Sequence, residues 1–135
     1  MSTSLLALLG FLSWTLALLV LMEVVRSKLV LSRVLPANSF SPDNAALSPF
    51  MQRLARAHVN CLEGLPLFGG FMLLAAVAGK SHSTDPLAYF LLAARIVQSV
   101  IHLSSTSPLA VTARFAAFAA QIAIAILWAL KLHAA

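Results

Sequence analysis

Residues 5–25 read LLALLGFLSWTLALLVLMEVV, a run in which Glu23 is the single charged side chain. A helix rises 1.5 Å per residue, so about 20 mainly apolar residues cover the hydrocarbon core of a bilayer. This run is long enough. A secretory leader would need a basic segment before the apolar one and small residues at a cleavage point. Here Met1 to Ser4 carry no charged side chain, and the run passes into Glu23, Val24, Val25 and Arg26. The stretch reads as a retained transmembrane helix.

Working outward, three more apolar stretches follow, giving spans at about 5–25, 50–78, 87–104 and 110–132 within one domain of 135 residues. The chain is 61% hydrophobic and 10% charged, with a mean hydropathy of +0.94. A soluble domain carries roughly a quarter charged residues, and four spans leave no room for one. The first connection, SRVLPANSFSPDNAALSPF (32–50), holds three of the six prolines among Ser, Asn and Asp and is turn-rich. At its end Ser48 and Pro49 form an N-cap and first helical residue. The others, GKSHSTDP (79–86) and SSTSP (104–108), are short, with Gly79 a helix stop and Asp85-Pro86 a start. Short connections between spans predict an all-α, integral membrane, up-down four-helix bundle.

The formal charge of +5 does not point to nucleic acid, because the cations follow the topology. Arg26, Lys28, Arg33, Arg53 and Arg56 surround the first connection, Lys80 lies in the second, and the third has none. Positive residues mark the cytoplasmic side, so the first loop is expected in the cytoplasm and both termini away from it. A lone cysteine, Cys61, excludes an internal disulfide and offers no metal-ligand spacing. No metal site is expected.

Polar residues recur inside the spans at helical spacing. Arg53, Arg56, Asn60 and Glu63 share one face of the second; Arg95, Gln98, Ser99 and His102 repeat the pattern in the third; Arg114, Phe118 and Gln121 do so in the fourth. With the first loop cytoplasmic, all three stripes converge in the cytoplasmic half. A charge at the centre of a membrane helix costs about 2.5–3.5 kcal/mol on insertion scales, so Glu63 and Arg95 need partners and lie at depths where each can reach the other. The bland reading is a structural ion pair, with Arg53 and Arg56 snorkelling to the interface. Taken as a set, however, Arg56, Arg95, His102 and Arg114 outnumber the one acid. That excess points to a polyanionic or zwitterionic ligand. His58 and Cys61 fall on other faces, His58 towards headgroups or a neighbouring subunit. Pro66 is expected to kink the second span. Trp14 and Trp128 read as lipid or packing residues, while Phe115 and Phe118 either line an apolar groove or fill the bundle.

The segment RAHVNCLEGLPLF (56–68) resembles the signature of the MAPEG family, membrane-associated proteins in eicosanoid and glutathione metabolism: Arg-Ala-x-x-Asn-x-x-Glu followed by Pro and Phe. The resemblance covers nearly the whole chain and is to a bacterial-type member similar to microsomal glutathione transferases. It implies a homotrimer in the inner or plasma membrane, with glutathione between subunits near the cytoplasmic surface. On that analogy Arg56, Asn60, Glu63 and Arg95 hold glutathione, Gln98 and His102 take third-span places that the family fills with aromatic or His residues, and Arg114 stabilises the thiolate. A nearby guanidinium favours the nucleophilic form of a thiol whose ordinary pKa is about 8.5. The implied reaction is conjugation of glutathione to lipophilic electrophiles or reduction of lipid hydroperoxides. Two departures stand out: Gly64 replaces the tyrosine that often follows the motif glutamate, and the only tyrosine, Tyr89, lies towards the opposite end. A non-catalytic ligand-binding or scaffold protein on the same fold is the alternative. A small-anion transporter is weaker, since no paired interrupted helices are evident.

Overall fold

The computed structural model describes residues 1–135. It contains four long helices, α1 (Thr3–Leu31), α2 (Pro49–Val77), α3 (Asp85–Ser104) and α4 (Pro108–Ala134), with a 3-10 turn at Ser81–Ser83 before α3. No strand is present, and each of the four is long and apolar enough to cross a membrane.

Local chemistry sets the helix ends. Ser2, Ser48 and Ser107 are N-caps whose hydroxyls accept from the backbone N–H of Leu5, Met51 and Ala110, satisfying donors that a first turn leaves unpaired. Proline occupies the first turn of α2, α3 and α4, where its missing N–H costs nothing. At the end of α2, Gly79 is left-handed at φ +70°, and Gly79 N and Lys80 N donate back to the carbonyls of Ala76 and Ala75. That is the paired C-terminal closure of a Schellman motif. α1 closes the same way with Arg33 at φ +57°.

α3 begins differently. Thr84 makes no side-chain cap to its own helix, and Asp85 Oδ1 instead accepts from Ser4 N (2.7 Å) and Ser4 Oγ (2.6 Å), with Ser4 Oγ also 2.6 Å from Thr84 Oγ1. One carboxylate thereby ties the starts of α1 and α3.

α2 and α3 form the middle of the bundle: α1 packs on both, while α4 packs on α3 and more lightly on α2. Ala7, Phe11, Leu18 and Met22 from α1 meet Leu54, Cys61, Phe68 and Met72 from α2, with Leu91 of α3 and Trp128 of α4 completing the core. Trp128 is a packing residue, fully buried. Only 28 of the 135 residues are buried in the single chain, and Leu9, Leu12, Leu16, Leu73 and Leu74 face outward. Apolar both inside and outside, the protomer suits lipid or further copies rather than water. α2 continues through Pro66 as one helix, and the proline leaves the Leu62 carbonyl without its usual donor.

Candidate functional site

The buried row of α2 includes Met51, Leu54, Ala55, His58 and Cys61. Arg56, Val59 and Glu63 lie on the opposite, exposed side, with Asn60 between the two faces. This places His58 at 8% exposure inside the protomer, not towards headgroups, because it shares the register of the core row. Cys61 is fully buried, and its Sγ lies 3.2 Å from Ser99 Oγ.

Two adjoining cavities open at the end of the bundle nearest the α1–α2 loop. The first, about 330 Å³, is lined by Asp43, Arg56, Val59, Asn60, Glu63 and His102 among others. The second, about 270 Å³, is lined by Asn60, Gln98, His102, Arg114, Phe115 and Phe118 with Val111. Asn60 and His102 belong to both. Six of the seven residues singled out from the sequence therefore line one continuous region, and the seventh, Arg95, stands directly behind it.

Arg95 is fully buried. Its Nη1 donates to the side-chain carbonyl of Asn60 and, at 3.3 Å, to the Asn60 backbone carbonyl. Its guanidinium lies over the rings of Phe11 (5.4 Å) and Phe68 (5.6 Å), whose π faces attract a cation. The expected pairing with Glu63 is not formed: the single ion pair of the chain is Glu23–Arg26 at 3.0 Å. The reason is local. Gly64 leaves the space that the guanidinium enters, since a Cβ there would stand 2.7 Å from Arg95 Nη2. Glu63, one residue earlier and about 100° round the helix, points outward.

The pairing decides what Asn60 presents. Its carbonyl oxygen is committed to Arg95, so its Nδ2 donors are free to face the cavities. Gln98 is set likewise: its Oε1 accepts from Gln121 Nε2 at 2.8 Å, leaving its own amide N–H groups for a ligand. Arg114 Nη1 lies 3.3 Å from His102 Nδ1. Because a guanidinium only donates, His102 accepts there and carries its proton on Nε2. Arg56, Asn60, Gln98, His102 and Arg114 thus turn donors or positive charge towards one space. Arg53 leaves the stripe, donating from Nε to the Leu103 carbonyl at 2.9 Å and fastening α2 to the end of α3. Phe115 is 67% exposed and does not fill the bundle, whereas Phe118 packs partly against the core.

Asp43 is a lining residue that spacing did not single out. It sits in the turn-rich loop, where an acid has an ordinary role, and only the fold carries it beside Arg56. The Ser41 hydroxyl (2.6 Å) and the Ala45 amide (3.1 Å) donate to Asp43 Oδ1. These bonds, with Arg56 nearby, hold its carboxyl below the usual carboxylate range. A larger cavity of about 520 Å³ lies between the end of α1 and the loop, lined by Glu23, Arg26 and Phe40 among others. Its cation is already engaged by Glu23, Asn44 and the Ser41 carbonyl, so it offers no comparable excess of donors.

The profile of the MAPEG family matches residues 4–134. No curated protein and no solved structure matches the chain. With a family match over almost its full length and four helices able to span a bilayer, the chain is an integral multi-pass membrane protein belonging to the MAPEG family, membrane proteins of glutathione and eicosanoid metabolism.

Proposed function

We propose that this protein is a membrane-bound, glutathione-dependent transferase or peroxidase that acts on lipophilic electrophiles or lipid hydroperoxides. The observation that carries the reading is the donor set. Two arginines, a histidine and two amides with committed carbonyls surround one region, against the carboxylates of Glu63 and Asp43. Glutathione fits these groups, having two carboxylates and two amide carbonyls to accept from them and one ammonium for an acid.

When bound, glutathione supplies a nucleophilic thiol. Arg56, Asn60 and Glu63 hold its peptide by charge and hydrogen bonds, and Arg95 keeps the Asn60 amide turned towards it. Arg114 stabilises negative charge on sulfur, while its contact with His102 holds the guanidinium in place. Phe115 and Phe118 border the same cavity and offer an apolar surface to an acceptor arriving from the lipid. Charge fixed in position before reaction is the usual source of such stabilisation.

A homotrimer belongs to this reading. Arg56 and Glu63 are exposed on the single chain within a spanning helix, and a charge facing lipid at the centre of such a helix costs about 2.5–3.5 kcal/mol. Neighbouring copies would cover them and complete the site, with the α1–α2 loop on the cytoplasmic side.

Calorimetric titration of the detergent-purified protein with glutathione, beside an Arg56→Ala, Glu63→Ala double variant, tests the reading. Micromolar to millimolar binding that the variant loses is expected; an inert wild type would sink it. Arg114→Ala should retain binding and lower turnover of a model electrophile by about 10- to 1000-fold. The absence of a tyrosyl hydroxyl at Gly64 favours a second reading, a non-catalytic ligand-binding protein on this fold. Glutathione binding with no turnover of any electrophile or hydroperoxide by the wild type would select it.

A further inference from the structure

The α1–α2 loop is held at one point. Asn44 is fully buried at φ +56°; its Oδ1 accepts from Arg26 Nε at 3.0 Å, and its Nδ2 donates to the Met51 carbonyl at 2.7 Å. Arg26 also donates to the Ser41 carbonyl at 3.1 Å and stacks on Phe40 at 5.8 Å. The loop is thereby clasped between α1 and the start of α2, on both sides of Asp43. Inside the clasp, the Ser41 hydroxyl and Ala45 amide fix the Asp43 carboxylate itself.

That carboxylate lines the 330 Å³ cavity together with Arg56 and Glu63. It is not spent on an ion pair, since the chain's one pair within 4 Å is Glu23–Arg26. Arg56 is therefore open to a ligand carboxylate, but any ligand that takes it must lie close to Asp43. A fixed negative charge at that place repels each further negative charge on the ligand and attracts a positive one. Close to water the effect is modest and depends on salt.

We propose that Asp43 is a specificity-determining residue of this cavity, selecting thiol peptides with a free ammonium group over equivalents whose amine is blocked. The proposal rests on the glutathione reading above and goes beyond it by naming the group that reads the ligand's charge from the loop. Asn44 is its positioning residue.

The test is calorimetric titration of the full-length protein with glutathione and with N-acetyl-glutathione, which has the same thiol but no ammonium and one more net negative charge. Wild type, Asp43→Asn and Asp43→Glu are compared in low salt and in roughly 0.5 M salt, where the screening length falls to a few ångströms. The wild type is expected to prefer glutathione. Asp43→Asn should narrow that preference by about three- to tenfold in low salt, with the narrowing largely gone in high salt. Asp43→Glu, which keeps the charge but not the turn, should restore most of it. An unchanged preference in Asp43→Asn, while the wild type binds glutathione, would overturn this inference and leave the glutathione reading standing. A preference lost equally in Asp43→Asn and Asp43→Glu, insensitive to salt, would overturn it in favour of a structural role for the turn. A wild type that binds neither thiol would overturn both readings.

Discussion

A guanidinium without a carboxylate is the residue-scale feature from which the site is built. Arg95 has no exposed surface and relies on Asn60 for hydrogen bonds and on Phe11 and Phe68 for its π contacts. Its Nε and Nη2 have no partner within the chain. Hydrogen bonds to a charged group are worth about 1.5–3 kcal/mol, and an abandoned buried donor is more costly than a bond never made. Asn60→Leu, which keeps bulk but removes the side-chain acceptor, should therefore destabilise the protein by about 1.5–3 kcal/mol. A fall in the midpoint of thermal unfolding in detergent would register this. An unchanged midpoint would mean that Arg95 finds another acceptor and that Asn60 is oriented by something else.

At the scale of elements, the bundle is joined at both ends by side chains that serve a helix other than their own. Arg53 of α2 caps the Leu103 carbonyl of α3 at the loop end. At the opposite end Asp85 of α3 receives the Ser4 amide and hydroxyl of α1. A carboxylate at a helix N-terminus also meets the positive end of the helix dipole, and here it meets two. Asp85→Ala should cost roughly 1.5–3 kcal/mol and do so locally. Hydrogen exchange should quicken in the first turns of α1 and α3, while the turns around Asn60 and Gln98 stay protected. Uniform acceleration along all four helices would refute a local staple.

For the whole molecule, the outward side of α2 is where the proposed trimer would make its contact. Arg56 and Glu63 are exposed there, and Gly70, seven residues further on, is exposed with nothing within 4 Å of where a Cβ would stand. Positions seven apart lie almost in line along a helix, so charge, charge and glycine form one stripe. Small residues on such stripes let membrane helices approach closely. Gly70→Leu has room within the chain, so helix content should not change, while native mass spectrometry should show the proposed trimer giving way to smaller species. A trimer that withstands the substitution would place the contact on another face.

What the sequence determined by itself is the set of properties that depend on neighbours along the chain. Residues 5–25 have length and hydropathy enough to span, Ser48-Pro49 and Gly79 begin and end α2 as their backbone preferences require, and RAHVNCLE places Arg56, Asn60 and Glu63 within one helical sector. Four spanning helices and the family follow from these. The tertiary structure decided how the helices are turned towards one another, which periodicity does not contain. Rotation of α2 against α3 gave Arg95 to Asn60 and not to Glu63, with the guanidinium entering the space that Gly64 leaves. The same rotation buried His58 and set Cys61 against Ser99. Asp43 reached the cavity through a clasp between Arg26 and Asn44, residues 18 apart in the chain, whose pairing arises only when the loop folds back over α1 and α2.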